Sequence, residues 1–424
     1  MDTETIYALS SGAPPAAIAV MRISGPDAQA AAAALAGRLP PPRRAGVRTL
    51  RSGDSTALDR ALVLVFPGPN SATGEDLVEL HLHGGRAVVA AVAAALAVQP
   101  RVRRAMPGEF TRRALMNGRI DLDQAEGLAD LLEAETEDQR RAALARSDGV
   151  VGKTLTGWMG ALSDAAAMIE AVIDYDEEAD VAADHADTWR AMINGTHSEM
   201  VALLAQPSVE RLRDGMLVVL AGPPNAGKSS LFNALLGRDA AIVTPLAGTT
   251  RDVIEAQIVR GGIPYRLCDT AGLTDDTADV VEQIGVDRAR ALSDRADVIL
   301  WLGDPQAAPP GAVRVAAKAD VAVNGVADIV VSTRSIETIE RLWGLLADKA
   351  RELLSFTSDV AIAEAQRTVI KEVSDLLGAA LRETDALISA EDLRIARRRL
   401  GSLVGEDPTE AMLDALFGRF CLGK

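Results

Sequence analysis

The sequence predicts a three-part protein of α/β plus α class, in which an α/β insertion interrupts a helical domain. Strand-like runs alternate with Ala-rich runs up to about residue 118, and helical spacing then replaces them. This spacing stops near residue 213, where an apolar run leads into a glycine-rich loop, and it resumes after residue 355. Because neither helical half looks self-sufficient, we expect one discontinuous domain. The predicted boundaries are 1–118 for the N-terminal domain, 119–213 and 353–424 for the helical domain, and 214–352 for the insertion.

The N-terminal region carries three strand signals, the runs AIAVMRIS, ALVLVFPG and DLVELHLHGG. Ala-rich runs and the loop LPPPRR separate them. The longest apolar run extends from Ala87 to Val98 and predicts a buried helix that is too short to cross a bilayer. We therefore expect a mixed α/β domain.

Apolar residues of the helical domain recur three to four positions apart, which places them on one side of a helix. The first stripe consists of Ile120, Leu122, Ala125, Leu128, Leu131 and Leu132. The second consists of Ile362, Ala365, Val369, Val373, Leu376, Leu377, Ala380 and Leu387. Charged residues lie opposite the first stripe, as expected for a helix with one buried face.

Composition narrows the possible functions. The 424 residues carry a formal net charge of −16, whereas a protein that binds nucleic acid unaided normally has a basic surplus. If RNA is the substrate, we expect a partner to supply much of the binding. Two cysteines and four histidines argue against a disulfide framework and a zinc site. The first residues are acidic and polar, which does not fit a secretory signal, and we expect a cytoplasmic protein with no membrane partner.

The insertion opens with a phosphate-binding loop. GPPNAGKSS fits G-x-x-x-x-G-K-[ST] and stands between a strand-like run and a helical run, which is the context this motif requires. Glycines let the backbone N–H groups turn towards phosphates, Lys228 reaches the β- and γ-phosphates, and Ser229 binds Mg²⁺. The residues assigned to the nucleotide here are Asn225, Ala226, Gly227, Lys228, Ser229 and Ser230.

Two further segments follow in the order expected of a GTPase. TPLAGTTRD supplies a threonine for Mg²⁺, which we assign to Thr250. CDTAG ends a strand and places Asp269 behind the metal and Gly272 at the γ-phosphate, with Thr270 and Ala271 between them. The three segments together are far more specific than any one of them.

The base-reading segment departs from the usual Asn-Lys-x-Asp pattern, because VAAKAD has Ala317 in place of the asparagine. Asp320 can still accept from the two N–H donors of guanine, and Lys318 can pack on the base. Loss of one hydrogen bond removes about 0.5–1.5 kcal/mol. We expect guanine selectivity with weaker nucleotide affinity.

A second departure lies just upstream, where only GDPQAAPPG separates two strand-like runs. A parallel crossover normally needs about a dozen residues or more, usually with a helix. We predict a Ras-like domain that lacks one surface helix.

These motifs, together with TGEDLVELHLHGG, PGEFTRRALMNGRIDLDQAEGLADLL and the terminal FCLGK, resemble the MnmE (TrmE) family of tRNA modification GTPases in all three regions. The resemblance implies an N-terminal dimerisation domain that binds a tetrahydrofolate derivative, in a 5-formyl or methylene form. It implies a homodimer that joins an FAD-containing partner, MnmG (GidA), in a heterotetramer or larger complex. The complex attaches a carboxymethylaminomethyl- or aminomethyl-type group to C5 of the wobble uridine of certain tRNAs.

The resemblance also implies a potassium site and a catalytic carboxylate in the G domain. The residues matching the K⁺ ligands are Asn225, Thr244, Leu246 and Thr249. The ion would lie where other GTPases insert an arginine finger, and two G domains would meet to bury it. Glu282 matches the residue that orients the attacking water; without the resemblance, a solvated acid at a helix start would be preferred.

For the folate, the resemblance implies contacts from Arg22, Glu79 and Arg119, and from Lys424 at the C-terminus. Cys421 matches a cysteine important for the modification; thiolate chemistry on the uridine and simple packing are both open for it. The pair His81 and His83 could suggest a metal site on one strand face, but structural histidines are the preferred interpretation.

Two alternatives from other classes are weighed against this function. One is a regulatory GTPase switch that binds RNA or ribosomal assemblies without one-carbon chemistry, which the FCLGK tail and the folate-matching residues oppose. The other is an ATPase, which Asp320 opposes.

Overall fold

The computed structural model of the chain describes residues 4–174, 179–223, 225–237, 254–269, 295–317, 327–353, 360–403, 413, 416–420 and 423. The chain forms two compact units. The first comprises 1–129, 147–149 and 406–424, and the second comprises 130–146 and 150–405.

The first unit is built on a six-stranded sheet in the order β3-β4-β5-β2-β1-β6. Its neighbouring strands are antiparallel except for β1 and β6, which are parallel. The elements are β1 Thr5–Leu9, β2 Ile18–Ser24, α1 Ala28–Ala36, β3 Gly46–Arg51, β4 Ala57–Phe66, β5 Leu77–His83, α2 Arg86–Ala97, β6 Val102–Arg104, α3 Glu109–Met116 and α4 Leu122–Glu133, of which residues 130–133 fall in the second unit. The mixed α/β domain predicted from the strand signals is confirmed.

Alternation along the strands divides the sheet into two faces. On one face, apolar residues such as Met21, Ile23 and Leu80 form the main core with α1 and α2. On the other face, a smaller cluster joins Ile6 and Ala8 of β1 to Ala105 and to α3, and the charged residues of the central strands share this face.

Helix α2 forms where the Ala-rich run predicted it, but the expectation that it is buried was wrong for most of its length. Only Val92 and Leu96 are buried, and Val98 just beyond the helix is 80% exposed. Alanine offers little apolar surface, so a run of alanines can form a helix with one side left in water.

The C-terminal segment belongs to the first unit. Leu416, Phe417 and Phe420 are buried together with Ala125 and Ala129 of α4. Phe417 also lies against Gly108, at which a Cβ atom would stand 2.7 Å from the Phe417 carbonyl oxygen. The chain therefore returns to its N-terminal domain at its end.

The second unit contains the helical domain and the insertion. Its helices outside the insertion are α5 Glu137–Ser147 (Ser147 itself falls in the first unit), α6 Val150–Asp174, α7 Ala179–Leu204, α8 Val209–Asp214, α11 Glu364–Arg382 and α12 Ala386–Ser402. Helix α6 packs against α7 and α12, and α7 packs against α11, so that four helices from both sides of the insertion share one core. This confirms the prediction of a discontinuous helical domain.

The insertion is a second six-stranded sheet in the order β12-β11-β10-β7-β9-β8, parallel except for the β8–β9 hairpin. Its elements are β7 Met216–Ala221, α9 Lys228–Leu236, β8 Ile254–Arg260, β9 Ile263–Asp269, β10 Val298–Trp301, β11 Val313–Ala317, β12 Ile329–Val331 and α10 Ile336–Leu353.

The crossover from β10 to β11 has no α-helix. Residues 302–312 are all described, and they contain only one 3₁₀ turn, Pro305–Ala307. The predicted absence of a surface helix is confirmed.

Within the described ranges, no helix is both long and apolar enough to span a membrane.

Candidate functional site

The phosphate-binding loop joins the C-terminal end of β7 to the first turn of α9, as the motif predicted. Gly222 has φ +146°, and a Cβ atom there would lie 2.5 Å from the Leu302 carbonyl oxygen, so only glycine fits. Asn225 and Gly227 also have positive φ angles, of 60° and 99°. This backbone, followed by a helix N-terminus, is the arrangement that turns N–H groups towards a phosphate.

Lys228 is held inside the loop. Its Nζ donates to the carbonyl oxygens of Gly222 at 2.9 Å and Pro223 at 3.0 Å, and the residue is 6% exposed. Burial lowers the pKa of Lys228, while the charge of Asp269 acts in the opposite direction. The Lys228 ammonium group thus lies where a phosphate would bind. Phosphate oxygens can replace the two carbonyl oxygens as its hydrogen-bond acceptors.

Asp269 ends β9 directly beside the loop. It pairs in register with Leu220 of β7 and is fully buried, at 0% exposure. A buried carboxylate close to the P-loop lysine fits a role beside a metal-bound phosphate. Cys268, one residue earlier, is buried in a small apolar cluster with Leu217 and Val219, and burial raises the pKa of its thiol to about 12. The thiol is therefore an apolar packing group and not a nucleophile.

A cavity of 330 Å³ lies beside the loop. Its walls are Pro223 and Ala226 of the loop, the start of the short crossover with Leu302, Gly303 and Pro305, the strand residues 314–317, and Ala327. Ala317, which stands in place of the usual asparagine, is one of these wall residues. Because no helix follows β10, the crossover itself forms one side of the cavity.

Several predicted G-domain residues lie outside the described residues. These are Thr244, Leu246, Thr249, Thr250, Thr270, Ala271, Gly272, Glu282, Lys318 and Asp320. Cys421 and Lys424 of the C-terminus also lie outside them.

In the first unit, the structure brings Arg22 and Glu79 together. They are register partners on β2 and β5, and Arg22 donates to Glu79 Oε1 from Nη2 at 2.9 Å and from Nε at 3.2 Å. The guanidinium also lies 5.7 Å from the centre of the Phe110 ring on α3. Both side chains keep partial exposure, 25% and 16%, so the pair can be reached by a ligand.

The two histidines of β5 have different carboxylate partners. His81 Nε2 lies 3.2 Å from Glu79 Oε2, and His83 Nδ1 lies 2.7 Å from Asp59 Oδ1. His81 is therefore part of the Arg22–Glu79 cluster, whereas His83 contacts Asp59 on the neighbouring strand β4.

Arg119 is presented by a helix end. Asn117 is the C-cap of α3, and Gly118 follows with φ +63°. Gly118 N–H donates to the Leu115 carbonyl and Arg119 N–H donates to the Ala114 carbonyl, both at 2.8–2.9 Å, which is the Schellman pattern of helix termination. The Arg119 side chain is exposed, and its Cγ would stand 3.1 Å from a Cβ atom at Gly74.

A polar network that sequence reasoning missed fixes the loop at residues 67–76, next to Arg119. Arg113, 7% exposed, bonds both oxygens of Glu75 at 3.1–3.2 Å. Glu75 also accepts from Ser24 at 2.9 Å, and the Ser24 and Thr73 hydroxyl groups lie 2.7 Å apart. The segments TGED and FTRRAL contain these two residues. No local sequence pattern predicts that Glu75 pairs with a residue 38 positions away.

The C-terminus reaches the same domain at the end of β1. Ser10 Oγ donates to the Gly423 carbonyl at 2.6 Å. Strand β1 lies next to β2, and its residue Ala8 is paired with Arg22. Ser10, which contacts Gly423, follows Ala8 by two residues, so Gly423 lies close to the strand that neighbours Arg22. Gly418 is helical, and the positive φ of the tail, +101°, occurs at Gly423.

Loop, lysine and buried aspartate on a mainly parallel sheet define a P-loop nucleotide-binding protein. Comparison with known proteins narrows the class. The family model described as "GTP-binding protein TrmE N-terminus" matches residues 5–119, and the "MnmE helical domain" model matches residues 122–421. The chain belongs to the MnmE family of tRNA modification GTPases.

Curated relatives match over the whole length. "tRNA modification GTPase MnmE" of Rhizorhabdus wittichii is 52% identical, over 100% of this chain and 97% of its own. The proteins of the same name from Erythrobacter litoralis and Novosphingobium aromaticivorans are 50% and 49% identical, over 99–100% of this chain and 100% of their own. Among solved structures, the G domain of the T. maritima FeoB iron transporter resembles 32% of this chain and 98% of its own, at 23% identity and a TM-score of 0.24.

Proposed function

We propose that this GTPase is stimulated by K⁺ and acts with an FAD-containing MnmG (GidA) partner on the wobble uridine of certain tRNAs. The pair adds a carboxymethylaminomethyl- or aminomethyl-type group to C5, with a tetrahydrofolate derivative as the one-carbon donor. One observation carries the proposal: a GTPase phosphate loop and the clustered Arg22–Glu79 pair, with the C-terminal tail beside it, occur in the same chain.

GTP binding begins with an exchange of partners at Lys228. The β- and γ-phosphate oxygens replace the carbonyl oxygens of Gly222 and Pro223 as acceptors, and the phosphates occupy the N–H groups at the start of α9. Asp320 reads guanine and Lys318 packs on it. The small Ala317 side chain leaves the base with one hydrogen bond fewer than usual, so affinity is moderate.

Mg²⁺ is held by Ser229 and Thr250, and the described residues fit this ion. Asp269 is a fully buried carboxylate beside Lys228 and would contribute negative charge to the Mg²⁺ site. When bound, the ion neutralises charge on the β- and γ-phosphates. Glu282 orients the attacking water.

K⁺ is held by Asn225 together with Thr244, Leu246 and Thr249. Asn225 fits this role because it is exposed in the phosphate loop with φ +60°, where a second G domain of the homodimer can cover it. The ion supplies positive charge near the β–γ bridge.

The folate derivative binds to Arg22, Glu79 and Arg119, with Lys424 and Cys421 delivered by the tail. The Glu79 carboxylate can accept hydrogen bonds from the N–H groups of a pterin ring. A guanidinium group can donate hydrogen bonds to the carboxylates of the glutamate tail. The net charge of −16 supports a partner as the main source of tRNA affinity.

The deciding experiment measures phosphate release from GTP and from ATP, in KCl and in NaCl at matched ionic strength. We expect turnover with GTP only and a faster rate in KCl. The variant Asn225→Gly removes the ion ligand and still accepts a positive φ, so it should lose the difference between the salts and keep the NaCl rate. Equal rates of the parent chain in both salts would contradict the potassium site.

A further inference from the structure

The loop at residues 67–76 contacts the C-terminal end of α3 next to Arg119. Asn117 Nδ2 donates to the Thr73 carbonyl oxygen at 2.7 Å, from the C-cap position of α3. Gly74 has φ +81°, and a Cβ atom there would lie 2.8 Å from Asn117 Cβ and 3.1 Å from Arg119 Cγ. The aliphatic part of the Arg119 side chain thus occupies the space that a side chain at residue 74 would need.

The same loop is also fixed to β2, the strand that carries Arg22. Thr73 meets Ser24 at 2.7 Å between hydroxyl oxygens, and both residues are buried. Ser24 stands two residues after Arg22 on β2, so the two side chains lie on the same face of the sheet. A continuous chain of contacts therefore runs from the strand of Arg22 through Thr73 and Asn117 to the backbone of Arg119.

Ion pairs and hydrogen bonds of Arg113 and Arg103 connect α3 to the neighbouring segments. Arg113 on α3 contacts Glu75 in the loop, Glu109 one helical turn earlier at 3.1 Å, and the Glu4 carbonyl at 2.9 Å. Arg103 adds two further bonds to Glu109, at 2.7 and 2.9 Å. Helix α3, which Arg119 follows, is thereby anchored to both β6 and the loop.

We propose that Asn117 is a positioning residue for the folate site: through Thr73 it holds Arg119 at the distance from the Arg22–Glu79 pair that the ligand requires. The inference rests on the proposed function, because it assumes that Arg119 contacts the folate. Asn117 itself need not touch the ligand. Arg119 has no hydrogen-bond or ion-pair partner of its side chain among the described residues, so its direction depends on the backbone that carries it.

The test is a titration of the full chain with 5-formyltetrahydrofolate, followed by ligand fluorescence or calorimetry. Asn117→Asp keeps the shape of the side chain but replaces the donor with an acceptor, and we expect binding about tenfold weaker, which corresponds to the loss of one hydrogen bond. The matched control is Asn70→Asp, which adds the same charge to the exposed part of the same loop and should bind as the parent chain does. Thermal unfolding shows whether each variant is folded, and Asn117→Ala serves as a second variant if Asn117→Asp is not.

A double-mutant cycle separates positioning from general damage to the fold. Arg119→Ala weakens binding by itself, and Asn117→Asp should cause no further loss in that background, because its effect acts through Arg119. An equal tenfold loss in both backgrounds, or parental affinity for Asn117→Asp in the presence of Arg119, would overturn the inference alone. Absence of saturable binding by the parent chain would overturn the folate part of the proposed function, and this inference with it.

Discussion

Single residues decide how the C-terminal tail reaches the N-terminal domain. Gly423 has φ +101°, and a Cβ atom there would lie 2.0 Å from the Leu9 carbonyl oxygen. The neighbour is backbone and cannot turn aside as a flexible side chain could. The tail can therefore dock beside Ser10 only with glycine at this position.

We predict that Gly423→Ala displaces the tail. Strain at such a position is about 1–3 kcal/mol, so the variant should unfold at a lower temperature and bind 5-formyltetrahydrofolate several-fold more weakly. Gly418→Ala is the control, since Gly418 is helical and no atom of the described part of the chain lies within 4 Å of the position that a Cβ atom would take. There alanine should be neutral or stabilise by up to about 1 kcal/mol. Equal thermal unfolding and equal folate affinity of the two variants would contradict the docking of the tail.

At the scale of elements, the crossover from β10 to β11 replaces a helix with a turn held by a few polar contacts. The Asp304 carboxylate accepts from Gln306 N–H at 2.9 Å, and the Asp304 carbonyl accepts from Trp301 Nε1 at 2.9 Å. The same turn supplies Leu302, Gly303 and Pro305 to the cavity beside the phosphate loop. Nucleotide affinity should thus depend on the order of this turn.

Asp304→Ala removes the cap of the 3₁₀ turn, which is worth about 0.5–2 kcal/mol. We expect the dissociation constant of a fluorescent GDP analogue to rise about two- to tenfold, with little change in the melting temperature of the rest of the chain. Asp348→Ala is the matched control because Asp348 is 75% exposed and, among the described residues, forms an ion pair with Arg351 alone, on the surface of α10. If Asp304→Ala bound GDP like the control, the crossover would have no part in forming the cavity.

At the scale of the whole molecule, the two candidate sites belong to different units of the chain. The phosphate loop lies in the unit of residues 130–146 and 150–405, and the Arg22–Glu79 pair lies in the other. An exposed Asn225 suits an ion site that a second G domain completes, so the assembly, and not one chain, would be the competent GTPase.

We predict that light scattering gives twice the mass of one chain. A non-hydrolysable GTP analogue should lower the radius of gyration of this dimer in KCl but not in NaCl, because the two G domains approach each other only when K⁺ is held between them. Asn225→Gly should remove this contraction and leave the dimer intact. A monomer under all conditions, or contraction of equal size in both salts, would contradict the proposed arrangement.

The sequence by itself determined the features whose cause is local. The phosphate loop, strands β2, β4 and β5 of the first sheet, the two halves of the helical domain and the missing helix were all predictable, because glycine positions, apolar periodicity and segment length act within a few residues. The degree of burial of α2 was not predictable in the same way, since it depends on which side of the helix meets the sheet.

Only the tertiary structure decided which distant residues meet. Glu75 and Arg113 pair because the loop before β5 and helix α3 lie on the same face of the sheet, and strand register places Arg22 opposite Glu79. The tail requires glycine at residue 423, because the backbone of Leu9 approaches at that residue. Contacts of this kind follow from register and packing between segments far apart in the chain, and local sequence carries no signal for them.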